Sequence, residues 1–283
     1  MTTTPIASPT SRGQRRRRPS AWHLVLIPTA ILMAAPLLWT LVTSLSSEAD
    51  THRFPPRLPT SLHWGNFAQV WTSSPFAHWL LNSTVVSVSC VASNLILCTF
   101  AGYAFARLQF PGSRVIFIAV LATLMVPFQV VMIPTLVIVK DLHLVDTLPA
   151  LIVPNLATPF GVYLLRQFFR TLPTELEEAA IIDGAGRTRI VTRVLLPLMG
   201  PPLSTVAVLT FLSVWNDFLW PLVVTSSPNV MTVQLGLATF QSAHHTDWPV
   251  LMAATLISQL PVLALFIVGQ RYFVRSIATT GIK

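Results

Sequence analysis

Long windows without a single aspartate, glutamate, lysine or arginine divide this chain: 19–47, 58–106, 115–139, 147–165, 194–216 and 248–270. A helix of about 20 apolar residues matches the hydrocarbon thickness of a bilayer. Inside lipid every backbone N–H and C=O must be bonded internally, so runs of this length fold as spanning helices. With 53% apolar and only 10% charged residues among 283, and a mean hydropathy of +0.65, the chain is no ordinary soluble domain. The window 58–106 is too long for one span. Its first part, 58–75, holds Pro59, Gly65, Asn66 and Pro75 and reads as an external loop with a short surface helix. The expected fold is all-α and polytopic, with six spans near 22–45, 76–106, 114–139, 148–169, 196–225 and 250–274. Residues 1–20 read as a disordered basic tail, 21–277 as the transmembrane domain and 278–283 as a second tail. The apolar run 21–45 exceeds the apolar core of a signal peptide and no clear A-x-A site follows, so a retained first span is expected.

Cations orient the spans, because cytoplasmic loops carry the excess of Lys and Arg. With the N-terminus inside, fifteen of the 18 fall on the cytoplasmic side: Arg12, Arg15 to Arg18, Arg107, Arg114, Arg166, Arg170, Arg187, Arg189, Arg193, Arg271, Arg275 and Lys283. Only Arg53, Arg57 and Lys140 fall outside. Both termini are therefore expected in the cytoplasm. The net charge of +8 follows membrane topology and gives no reason to invoke nucleic acid. Four consecutive arginines, Arg15 to Arg18, fit the same rule; a basic arm on anionic lipid is the sharper reading of them.

The charged exception between two apolar runs is 171–197, TLPTELEEAAIIDGAGRTRIVTRVLLP. Glu175, Glu177, Glu178 and Asp183 crowd its first half; Arg187, Arg189 and Arg193 its second. Thr174 with Glu177 fits a capping box, and acids in a first turn favour the positive end of the helix dipole. Gly184-Ala185-Gly186 then breaks the helix, since glycine accepts positive φ. Thr188 is expected to cap a second short helix, which Pro197 limits. The charge bias puts this helix, glycine turn and helix at the cytoplasmic surface.

The stretch closely resembles the EAA loop of the membrane subunits of bacterial ABC importers: Glu-Ala-Ala, three residues, Gly, nine residues, Ile, one residue, Leu-Pro. Here Glu178-Ala179-Ala180 is followed by Gly184, Val194, Leu196 and Pro197, with valine for isoleucine the one departure. LNSTVVSV at 81–88, AGYAFARLQFPG at 101–112, LMVPFQVVMIP at 124–134, PFGVYLLRQFF at 159–169, WNDFLWPLV at 215–223 and QRYFVRSI at 270–277 are similar to the MalG-like carbohydrate permeases. The resemblance implies a type I importer fold in the bacterial inner or plasma membrane. It implies a heterodimer with a homologous second permease, two cytoplasmic ATPases, and an extracytoplasmic solute-binding lipoprotein or periplasmic protein that delivers a sugar. ATP and Mg would bind the ATPase subunits; no cofactor is expected on this chain, which lacks any Gly-Lys pair and hence a P-loop. By the resemblance, Leu176, Glu178, Ala179, Ala180, Asp183, Gly184, Val194, Leu196 and Pro197 form the ATPase-coupling set. Glu178 would anchor on a basic residue, Gly184 set the turn, the alanines permit close docking, and Leu176 supply an apolar anchor. Ile181 stands where many relatives carry a basic residue, so one contact differs here.

Polar groups inside spans serve a solute pathway or helix–helix hydrogen bonds. Asn82, Asn94, Gln129, Asn155, Asn216 and Asp217 form this set, Gln259 is a further in-span amide, and Asp217 reads more readily as structural. Pro127 and Pro134 are expected to kink the third span. Cys90 and Cys98 lie eight apart in one run, about 12 Å along a helix, too far for a disulfide. His244-His245 with Asp247 reads as an external loop, and no metal spacing is present. No catalytic set appears, so a transport subunit is expected and not an enzyme. A polyol or glycerol phosphate permease of the same kind remains open, because the coupling motif is blind to substrate. A stand-alone secondary transporter would leave the EAA loop without a purpose.

Overall fold

The computed structural model describes residues 22–53, 58–241 and 246–280. The basic tail 1–20, the His244-His245 pair and residues 281–283 lie outside the described residues. Every regular element among those described is helical. In order they are α1 His23–Ser44, α2 Glu48–Thr51, α3 Gly65–Ser73, α4 Phe76–Arg107, α5 Ser113–Thr123, α6 Phe128–Asp141, α7 Leu148–Ile152, α8 Pro159–Thr171, α9 Glu175–Ile182, α10 Arg187–Arg189, α11 Gly200–Trp215, α12 Leu219–Val224, α13 Val233–Thr239 and α14 Trp248–Thr280.

Four helical runs are long and apolar enough to cross a membrane: Leu24–Ser44, Phe76–Arg107, Arg187–Trp215 and Trp248–Ile267. Two bent pairs bring the number to six if each is one span. The first is α5 with α6, bent by 105°; the second is Leu148–Asn155 with α8, bent by 41°. The expected kink in the third region thus becomes a sharp corner at 124–127. There Val126 precedes Pro127, which disfavours helical backbone; Pro134 sits inside α6 without breaking it. The fifth region also departs from expectation. Its helical run begins at Arg187, inside the charged stretch, and stops at Trp215. The charge-free stretch 218–246 yields the short helices α12 and α13. The segment 278–280, expected as tail, continues α14.

α4 is the centre of the molecule. Its 32 residues extend about 48 Å at 1.5 Å per residue, well beyond the roughly 30 Å apolar core of a bilayer. Its buried side chains from Phe76 to Cys98 form one broad stripe, and near the C-terminal end Thr99, Gly102 and Tyr103 add a further face. Three apolar clusters line up along it. Val70, Phe76, Trp79, Phe211, Trp215 and Val233 pack toward its N-terminal end. Val86, Cys90, Val139, Leu151, Trp220 and Val224 occupy the middle. Cys98, Tyr103, Leu165, Phe169, Ile190, Val191 and Leu195 close the end that meets the charged loop. The helix approach is tight at Gly236 of α13, where a Cβ would come within 2.2 Å of the Trp79 ring. The two cysteines are free and buried, as small packing residues.

Candidate functional site

The loop between α8 and α11 is built on a hairpin of two helical pieces. α9 starts without the expected capping box. Thr174 adopts helical backbone and makes no side-chain cap. A capping residue needs extended backbone, so the motif cannot close. Instead the Thr174 carbonyl accepts from the Glu177 and Glu178 amides at 2.9 and 3.1 Å, adding a residue to the helix. The Glu177 carboxylate, which the box would have turned back, points the other way.

That carboxylate is the anchor of the loop. Glu177 is buried, with Oε1 at 2.8 Å from Arg107 Nε. Its Oε2 accepts from the Tyr103 hydroxyl at 3.0 Å. Arg107 Nη2 also donates to the Leu172 carbonyl, at the end of α8. The Arg107–Glu177 contact is an ion pair without a well-aligned hydrogen bond. The Tyr103 ring packs edge-on against Phe169, with centroids 5.6 Å apart. The end of α4 therefore grips α9 by charge and α8 by packing. Glu177 did not stand out in the sequence. Its signal was Arg107, a cation closing an apolar span, but nothing local to either residue pairs them across 70 positions.

α9 ends in a Schellman motif. Gly184, at φ +75°, donates from its amide to the Ile181 carbonyl at 2.9 Å, and Ala185 donates to the Ala180 carbonyl at 2.9 Å. These two bonds satisfy carbonyls that a helix end leaves orphaned. Ala180 and Ala185 pack against the cluster of Tyr103, Leu165 and Phe169. Gly186 then starts the second piece with extended backbone and no side-chain cap; Thr188 lies inside that helix and does not cap it. Nor does Pro197 stop the helix. α10 continues through a wide π-turn, Ile190–Leu195, and a tight 3₁₀ turn, Leu196–Met199, into α11. Pro197 falls at the start of the tight turn, where its missing N–H is tolerated.

The coupling candidates separate into two faces. Leu176, Glu178, Ala179, Asp183 and Gly184 are exposed, together with Ile181 and Ile182. A Cβ built on Gly184 meets nothing within 4 Å, so the turn faces open space. Ala180, Val194 and Leu196 turn inward. Ala180 and Val194 pack on the apolar cluster, and Leu196 lines an apolar recess with Leu95, Val191 and Leu203. Pro197 is exposed beside α11. The motif thus combines an outer surface with its own inner fastening, and Ala180 belongs to the fastening.

The polar candidates in the spans separate in the same way. Asn82 donates to the carbonyls of Asn229 and Met231 at 2.8 and 3.0 Å, tying the segment before α13 to α4. Asn94 donates to the Asn155 carbonyl at 2.7 Å and accepts from the Thr158 amide at 2.9 Å. It therefore satisfies backbone groups freed by the bend before α8. The Asn155 side chain donates within its own turn, to Leu151. Asp217 accepts from the Trp220 amide at 3.3 Å and so caps α12. Asn216 and Gln129 are exposed, and Asn216 meets Gln234 at 3.5 Å. Outside the spans, Asp146 accepts from the Ser226 and Ser227 amides at 2.8 and 2.9 Å and from the Ser227 hydroxyl. The Ser227 hydroxyl and these amides hold its carboxyl below the usual range. Among the described residues no group of His, Cys, Asp and Glu is placed to hold a metal.

Comparisons with known proteins agree with this geometry. Residues 98–279 match the family described as the binding-protein-dependent transport system inner membrane component. The arabinooligosaccharides transport system permease protein AraQ of Halalkalibacterium halodurans is 35% identical over 258 residues, 90% of this chain and 92% of that protein. The diacetylchitobiose uptake system permease protein NgcG of Streptomyces coelicolor is 33% identical, covering 93% and 88%. The sn-glycerol-3-phosphate transport system permease protein UgpE of Yersinia pestis is 33% identical, covering 90% and 94%. Among solved structures, a bacterial ABC transporter involved in the import of alginate superimposes with a TM-score of 0.79 at 24% identity, over 88% of this chain and 94% of that one. The chain belongs to the binding-protein-dependent inner membrane component family and is a multi-pass permease subunit of an ABC transporter, a transport component and not an enzyme.

Proposed function

We propose that this chain forms half of the pathway of an ATP-driven importer for a sugar or oligosaccharide. The observation that carries the proposal is α9: Glu178, Ala179 and Ile182 face outward while Glu177 is fastened to α4. In this reading a cytoplasmic ATPase seats on the outer face, Glu178 pairs with one of its basic residues, and Leu176 and Ile182 supply apolar contact. Closure of two such ATPases on ATP and Mg moves α9. The Arg107–Glu177 pair passes that displacement to α4, and the run from α10 into α11 passes it to the next span. The result is alternation between two arrangements of packed helices. A homologous second permease completes the pathway, and an extracytoplasmic solute-binding lipoprotein or periplasmic protein delivers the solute. Both termini lie in the cytoplasm, in accord with the cation bias. Exposed Gln129 is the pathway candidate that bonding among the described residues leaves available, whereas the Asn216 amide donates to the Leu212 carbonyl at 2.8 Å.

A sugar is supported by the two relatives whose names specify oligosaccharide or diacetylchitobiose transport. The glycerol phosphate relative supports a second reading at nearly equal identity. The test is calorimetric binding of the partner solute-binding protein across oligosaccharides and glycerol phosphates, followed by uptake of the tightest ligand into proteoliposomes holding the whole importer. Saccharide binding with matching uptake is expected. Binding and uptake of a glycerol phosphate alone would overturn the sugar assignment. Uptake that does not require ATP would overturn the importer mechanism.

A further inference from the structure

The geometry points to α3 as an interfacial anchor: we propose that its Trp64–Ala68–Trp71 stripe beds in the lipid at the membrane surface. Three observations carry the assignment. First, α3 is pinned at the plane where a span ends. The Asn66 side chain donates to the carbonyls of Ser44 and Ser46 at 2.8 and 3.0 Å, and the His63 amide donates to the Leu45 carbonyl at 2.9 Å. These bonds satisfy carbonyls at the C-terminal end of α1. Second, the helix has three faces and not two. Val70 is buried and Phe67 packs with it against the Phe76 and Trp79 cluster. At 100° per residue, Trp64, Ala68 and Trp71 form an adjacent stripe, and all three are exposed. Gly65, Gln69 and Thr72 form a third, polar stripe, also exposed, and Gln69 donates to Asp247 at 3.4 Å beside the loop before α14. Third, no charged residue occurs from 58 to 106, so α3 itself carries no charge that would hold the tryptophans in water.

Packed side, apolar side and wet side follow one another around the helix, as an element lying along a bilayer interface requires. Tryptophan prefers this depth because its ring is apolar while its N–H remains a donor. On the packed side, Phe67 borders an apolar recess with Leu37, Leu38 and Leu41 of α1, so α3 sits against the apolar flank of that span. A solute-binding protein or the second permease covering the tryptophans is the competing outcome.

The test uses the assembled importer in lipid nanodiscs, with a nitrobenzoxadiazole label on Ala68→Cys or on Gln69→Cys. Neither exchange removes a buried side chain, and the native Cys90 and Cys98 are buried away from label. Lipids with a shallow nitroxide should quench the label at 68 at least twofold more than the label at 69. Aqueous iodide should show the reverse order, and saturating solute-binding protein should change neither. Iodide quenching at 68 equal to that at 69 would overturn the proposal. So would a label at 68 shielded from both quenchers, or one that becomes shielded only when the binding protein is added.

Discussion

Replacing Glu177 with glutamine tests the fastening of α9 directly. The exchange keeps size and leaves an acceptor for the Tyr103 hydroxyl, but removes the charge opposite Arg107. Both side chains are largely buried, at 13% and 12% exposure, so water can replace little of what is lost. Removing one partner of a buried pair costs about 3–5 kcal/mol, much of it the penalty of the charge left behind. Arg107 retains the Leu172 carbonyl, which places the expected cost near the lower end, about 3 kcal/mol. That corresponds to roughly a hundredfold change in the equilibrium between fastened and released α9. The outward face with Glu178 and Ala179 is untouched, so the variant is expected to retain its ATPase on co-purification. Solute moved per ATP hydrolysed, measured in proteoliposomes, should fall at least tenfold. Adding Arg107→Gln removes the orphaned charge, and the double variant should recover part of the loss. Glu175→Gln, on an exposed acid two residues away, should transport normally. Normal solute transport per ATP by Glu177→Gln would refute the role of this pair, and equal loss by Glu175→Gln would show that any charge in the loop suffices.

Three further outcomes are expected. Gly184→Asp places a side chain at φ +75°, a conformation that costs an L residue about 1–2 kcal/mol, and fills open space before the docking face; the permease pair should still assemble on co-purification, while uptake is lost and ATPase retention weakens. Gly236→Ala drives a Cβ into the Trp79 ring and should lower the thermal midpoint of the purified complex by several degrees, whereas Gly65→Ala, with nothing within 4 Å, should not. The depressed Asp146 carboxyl stabilises its loop contacts above the ordinary carboxylate range and loses that effect as pH falls through its lowered value; Asp146→Asn should therefore erase a stability decrement seen by thermal unfolding in wild type below about pH 4.

Much of this architecture was legible because membrane helices write themselves as charge-free length. The motif Glu178-Ala179-Ala180 to Pro197 was legible because spacing alone specifies it, and the positive φ at Gly184 follows from the residue type. Failures arose where distant contacts overrode local preference. Thr174 and Glu177 spell a capping box, but Arg107 competes for the carboxylate and wins, since a buried cation must be paired. Pro197 spells a helix stop, but a change of winding accommodates it. The fifth span, expected over 196–225, ends at Trp215, and the short helix α12 follows in the remainder. The amides in the spans looked alike in sequence; burial and long-range bonding distinguish Asn82 and Asn94, which hold the backbone of distant segments, from the exposed Asn216, which bonds Leu212 one turn back in its own helix.

The amide of Asn94 has a consequence for how the bent span before α8 moves. One side chain holds the Asn155 carbonyl and the Thr158 amide together across the break. Straightening that span would leave the Asn155 carbonyl and the Thr158 amide without partners in a medium that offers no water, each at a cost of about 1–3 kcal/mol. The break is therefore a fixed elbow and not a joint. Force arriving through Leu172 and Phe169 at one end of α8 should swing the whole angled piece as a single lever about α4, and bending should concentrate elsewhere.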